Sequence, residues 1–225
     1  MAPMPGRSQP VQSPDKNAQV ASASEEQLNK FLVDRPQVQS IVKKGNPIWN
    51  WLRTAFENTK GGMEILWDNQ STSDFNPFGA ESHFFRDTNI VYVRVDRCYK
   101  TGEFKGIERE PEEILVGIVF ELMNVNNRSL CIEQNQLAET KRISKRDYVL
   151  SLAKSEYVTS KAVLKFYRET WVPFCQRQHI EYEPALWSFA QSNSFDSWLA
   201  SFPADSGYPW RSYGKEYDQL SAPKK

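Results

Sequence analysis

The chain has 225 residues, 40% hydrophobic and 25% charged, which suits one globular domain with tails. Lysine plus arginine and aspartate plus glutamate both number 28, so the net charge is zero and no basic field argues for nucleic acid. No apolar run is long enough to span a membrane, and the three scattered cysteines and two histidines make neither a zinc pattern nor a disulfide framework.

Residues 1–23 are rich in Pro, Ser, Gln and Ala. They offer too little apolar surface to offset the entropy of ordering, so a disordered leader is expected. The leader lacks the apolar core of a secretory signal, which favours the cytoplasm. A single domain is expected over 24–203, followed by an extended tail over 204–225.

Ser24 with Gln27 resembles a capping box, and Leu28, Phe31 and Leu32 then form an apolar stripe. Arg35-Pro36 breaks that helix. Asn46-Pro47 starts another, with Asn as N-cap and Pro at the first helical position. Met63 to Trp67 reads as a short strand, and Asp68 to Phe85 as a loop. Asn89 to Asp96, NIVYVRVD, is the clearest strand, with Val91, Val93 and Val95 on one face, and reads as an edge or one-sided strand.

The central helix should run from Pro111 to about Arg128. Its stretch ILVGIVFELMNV is apolar nearly all round, so it should be buried. Glu110, Glu112 and Glu113 complement the positive end of its dipole. Asn126-Asn127 should weaken its C-terminal end. A second long helix starts at Ser144 and carries Val149, Leu152, Glu156, Val163 and Trp171 on one stripe, until Pro173 ends or kinks it. A last helix is expected from Glu183-Pro184 to about Leu199. Lys141-Arg142 and Lys145-Arg146 read as a solvated helix start.

One carboxylate, Glu121, sits inside the apolar helix and must be paired, neutralised or used. Gly117, Glu121, Asn124 and Arg128 are four, three and four residues apart and so share one helix face. Glu156 points inward from the second helix. If the two helices pack side by side, Glu121 and Glu156 could look into one cleft. A purely structural Glu121 would pair with a cation such as Arg94, Arg128 or Lys161. Cys175 and His179, one turn apart, could bring a thiol and a base together.

The order of helices, extended strand, helix with a central Glu and later helix with an inward Glu resembles the zincin metallopeptidases. Those enzymes carry a histidine-glutamate-x-x-histidine motif on one helix and a glutamate ligand on a later one. The resemblance covers about residues 46–171. It implies an α+β fold, mainly helical with a small antiparallel or mixed sheet. It also implies that Glu121 matches the general base and Glu156 the third ligand. Phe120 and Asn124 stand where the two histidines should be, so no metal and no cofactor is expected. A peptide or protein partner would lie along the strand Asn89 to Asp96.

The function expected from this is binding or structural, without catalysis, with Gly117, Asn124 and Arg128 as binding residues. The alternative is a hydrolase, peptidase-like or glycosidase-like, using Glu121 and Glu156 as its catalytic pair.

Overall fold

The computed structural model describes residues 25–33, 35–59, 65–68, 80–85, 90–99, 102–202 and 207–223. The expected leader at 1–23 lies outside the described residues.

Helix α1 covers 25–33, α2 Pro36–Gln39 and α3 Pro47–Glu57. Asn46 caps α3 by accepting a hydrogen bond from the Trp49 N–H at 2.8 Å, and its own amide donates to the Ile41 carbonyl. The apolar faces of these helices, with Leu28, Phe31, Ile48 and Leu52 fully buried, close over one side of α4.

Helix α4, Pro111–Glu139, gathers the other elements around it. Its first turn is fixed by a capping box. The Glu110 carboxylate accepts the Glu113 N–H, and the Glu113 carboxylate accepts the Glu110 N–H at 2.9 Å. Every residue from Ile114 to Leu122 is buried. Truncating one of them, Leu115 for instance, should cost about 2–5 kcal/mol. The helix does not weaken at Asn126-Asn127. The Asn127 amide donates to the Thr159 hydroxyl at 3.0 Å across the helix interface, so it does not compete for its own backbone.

Helix α5, Lys145–Phe166, lies antiparallel to α4 and makes its most extensive packing partner. Its N-cap Ser144 accepts the Asp147 N–H at 3.1 Å. Pro173 does not end the helical run. A π-helical turn, Tyr167–Trp171, leads directly into α6, Val172–Gln178. The wider turn accommodates a proline that would clash with the carbonyl four residues back in a regular helix. The run stops at His179, which is left-handed with φ 54°. The single helix expected over 183–199 is instead a 3₁₀ turn, Pro184–Ala190, and a separate α7, Phe195–Ala200, restarted by the cap Ser194.

The tail is not extended. A kinked segment, Gly207–Arg211, in which Tyr208 is extended, precedes α8, Ser212–Leu220. Tyr213, Tyr217 and Leu220 pack on Ala138, Tyr148 and Leu152, a small cluster separate from the main core.

Three short strands pair: β1 Ile65–Asp68, β2 Ala80–Phe85 and β3 Ile90–Val95, in the order β1-β3-β2. Strand β1 is parallel to β3, with Ile65 opposite Val91, and β2 is antiparallel, with Ala80 opposite Val95. Two expectations are corrected here. Strand β2 falls inside the stretch read as a loop. Strand β3 is central, so its hydrogen-bonding edges are already occupied and a peptide cannot add along Asn89 to Asp96.

The fold belongs to the all-helical class, which corrects the α+β, zincin-like expectation. The main core is built largely by helices and their connections, and β3 contributes Val93 and Val95 to its buried residues. The alternation in NIVYVRV identifies a real strand, but strands of four to six residues, packed on α4, are a small part of a chain that is mostly helix. Among the described residues, no helix is long and apolar enough to cross a membrane.

Candidate functional site

The Asn127–Thr159 contact sets the register of α4 against α5. Glu121 lies six residues to one side of this level and Glu156 three residues to the other. At about 1.5 Å per residue, they stand about 14 Å apart along the helix axes, beyond the roughly 5–9.5 Å that a glycosidase pair uses. The structure therefore does not bring them into one cleft.

Glu121 is buried, 7% exposed, with the Asn124 amide at 3.5 Å. Gly117 is buried one turn earlier. Arg128 donates to the Thr59 carbonyl at 3.3 Å, at the C-terminal end of α3, and desolvation lowers its pKa. These residues share a face, and the face is packed. None of Gly117, Glu121, Asn124, Arg128 or Glu156 lines either of the two cavities described below.

Glu156 meets the C-terminal segment instead. Its carboxylate accepts the Tyr213 hydroxyl at 2.5 Å, with the Tyr208 hydroxyl beside it. Desolvation raises its pKa above the ordinary value, and the two hydroxyls only partly oppose that. Both tyrosines are pushed upward in turn, first by burial and then by the carboxylate. Cys175 is fully buried, and desolvation followed by the field of Glu112 pushes its thiol up to about 12. His179 is exposed beyond the end of α6, so a buried, poorly ionised thiol and a solvated imidazole make no nucleophile–base pair. Among the described residues, no group of three or more His, Cys, Asp or Glu could hold a metal ion.

The open site lies at the N-terminal end of α4. A cavity of about 810 Å³ is lined by the carboxylates Glu110, Glu112, Glu113, Glu181 and Glu183, with no lysine, arginine or histidine among the described residues that line it. Tyr99, Trp171 and Tyr182 supply aromatic surface. Glu112 organises the wall. One of its oxygens accepts the indole N–H groups of Trp171 and Trp187, each at 2.7 Å, and the other accepts the Glu183 N–H at 2.8 Å. It thereby ties the start of α4 to α6 and to the segment 180–187. The Tyr99 hydroxyl donates to Glu113, and its pKa rises to about 12, through desolvation first and that hydrogen bond second. Arg109, itself buried, stacks 4.3 Å over the same ring.

Sequence reasoning placed Glu112 only as a dipole complement and did not find its role. The Trp171 and Trp187 partners are 59 and 75 residues away. The available signal was chemical: buried indole N–H groups need acceptors, and three glutamates flank Pro111.

Comparisons with protein-family models, with curated proteins and with solved structures find no match for this chain.

Proposed function

We propose that this chain is a non-catalytic binding protein and that the cavity at the N-terminal end of α4 receives a cationic group from its partner. The observation that carries this reading is the lining: five carboxylates around about 810 Å³, without a basic side chain among the described residues that line it. The volume is in the range of small-molecule and side-chain pockets. The positive end of the helix dipole is already met by the carboxylates of the first turn, and the capping box occupies the Glu110 and Glu113 N–H groups. A guanidinium or ammonium could gain from both the carboxylates and the aromatic faces. The hydrolase alternative has no such support, since Glu121 and Glu156 stand apart on packed helices.

Titration with arginine amide, followed by protein NMR, tests the reading. Shifts should centre on Tyr99, Trp171 and Tyr182. Glu181 is exposed and makes no hydrogen bond or ion pair among the described residues, so Glu181→Gln should fold normally. It should weaken binding by a factor of about 2–5. Shifts elsewhere, or no saturable binding, would reject the assignment.

A further inference from the structure

The acidic cavity has a neighbour of opposite character. A second cavity, about 260 Å³, is lined by Lys43, Asn46, Pro47, Phe174, Arg177 and Gln178, together with Ser40, Ile41 and Ile180. Ser40, Ile41 and Ile180 line both cavities, so the two form one groove that passes over a shared, largely apolar floor. Ile41 is buried in the main core and Ile180 packs against it, which makes the floor part of the fold.

The charges at the two ends are available. Lys43 and Arg177 are exposed, and neither side chain makes a hydrogen bond or ion pair among the described residues. Glu181 is in the same state at the acidic end. By contrast, neighbouring Lys44 is already paired with Glu25, and Glu112 and Glu113 are held by their donors. Lys43 follows α2, and Arg177 sits in the last turn of α6. The groove therefore has free carboxylate at one end, free cation at the other and hydrocarbon between.

We infer that the groove binds an extended peptide segment that carries a basic side chain for the acidic cavity and, a few residues along, a carboxylate for Lys43 and Arg177. This rests on the reading of the larger cavity as a cation site and adds orientation to it. A ligand with one charge can enter either way, whereas a ligand with both signs is fixed in one direction. Reversed binding would set like charges against each other at both ends.

The experiment uses amidated, N-acetylated peptides with arginine and glutamate separated by one to four glycines, each beside a counterpart in which glutamine replaces glutamate. Binding to the full chain is measured by calorimetry at two ionic strengths. At the preferred spacing the glutamate peptide should bind about fivefold tighter than its glutamine counterpart, and the gap should shrink at high salt. A double variant, Lys43→Glu with Arg177→Glu, should lose that preference and instead favour a peptide with arginine at both ends. Both substitutions are on exposed side chains, and Lys43→Gln with Arg177→Gln serves as a milder pair. If no spacing distinguishes glutamate from glutamine while arginine amide still binds, the inference is overturned and the cation cavity stands. If arginine amide does not bind either, both are overturned.

Discussion

The two ends of the α4–α5 pair each hold a carboxylate with neutral aromatic donors, and the outcomes differ. At the start of α4, Glu112 accepts two indole N–H groups and a backbone N–H and borders an open cavity. Farther along the pair, Glu156 is half-buried, accepts the Tyr213 hydroxyl beneath the segment Gly207–Arg211 and α8, and lines neither cavity. In both places a charge is kept in the fold without a salt bridge, because polarised N–H or O–H groups from large aromatic side chains do two jobs. They fill volume and they solvate the carboxylate. A perturbed carboxylate is thus poor evidence for a site by itself. Glu156 has the shifted pKa, and Glu112 has the access.

The largest test of this comparison is removal of Glu112. Glu112→Ala would leave the N–H groups of Trp171 and Trp187, residues that are 1% and 0% exposed, without their acceptor. Unfolding in urea should show a loss of about 3–5 kcal/mol, with Glu112→Gln losing about 1–2 because an amide oxygen can still accept. Equal, small effects would mean that the wall of the cavity does not depend on this carboxylate. Glu121 lies between the two ends and belongs with the structural case. It is buried in the middle of α4 beside Asn124, and Glu121→Gln should cost about 1–3 kcal/mol. Unchanged stability would reopen a functional role for it.

Glu156 separates the ends by pH. Its pKa is raised in the folded chain relative to the ordinary 4.5, because desolvation outweighs the two hydroxyls. The folded state therefore holds this proton more tightly than the unfolded state. Its contribution to stability is fully present below about pH 4.5 and is lost as pH rises through the folded value. Glu156→Gln keeps the shape and an acceptor but cannot ionise. Melting temperatures measured across pH 4–8 should fall with pH more steeply in the wild type than in this variant. Parallel curves would show that this carboxylate carries no titration of its own.

Local chemistry made much of the helical frame legible. Asn46-Pro47, Glu110-Pro111 and Ser144 with Asp147 all start helices where their side chains can cap them. What could not be read depended on distant partners. Asn127 looked like a helix breaker until Thr159 is placed opposite it. Pro173 looked like a stop because nothing local announces a π-helical turn ahead of it. The tail looked extended because the apolar face of α8 is mostly tyrosine, and it becomes a helix against Ala138, Tyr148 and Leu152. The site was missed for the same reason. Glu121 attracts notice by being alone among apolar neighbours, whereas Glu112 sits among other glutamates at a helix start and is joined to its tryptophans only by the fold.

The smallest expected effect is kinetic and compares the ends through their cysteines. All three thiols are free. Cys98 lies half-buried in the hairpin that carries Tyr99 to the open cavity, bridged to Glu108. Cys131 is also half-buried, but it packs under α8, and desolvation raises its pKa, with Glu156 and Glu216 adding to the rise. Cys175 is fully buried, with its thiol at about 12. Because the thiolate is the reacting species, iodoacetamide at pH 7.5 should label Cys98 first, Cys131 more slowly and Cys175 only on unfolding. Peptide mass mapping over time reads the order. Labelling of Cys131 as fast as Cys98 would mean that the α8 end opens as readily as the cavity end. The contrast between a carboxylate covered by α8 and one beside a cavity would then fail where Glu156 sits.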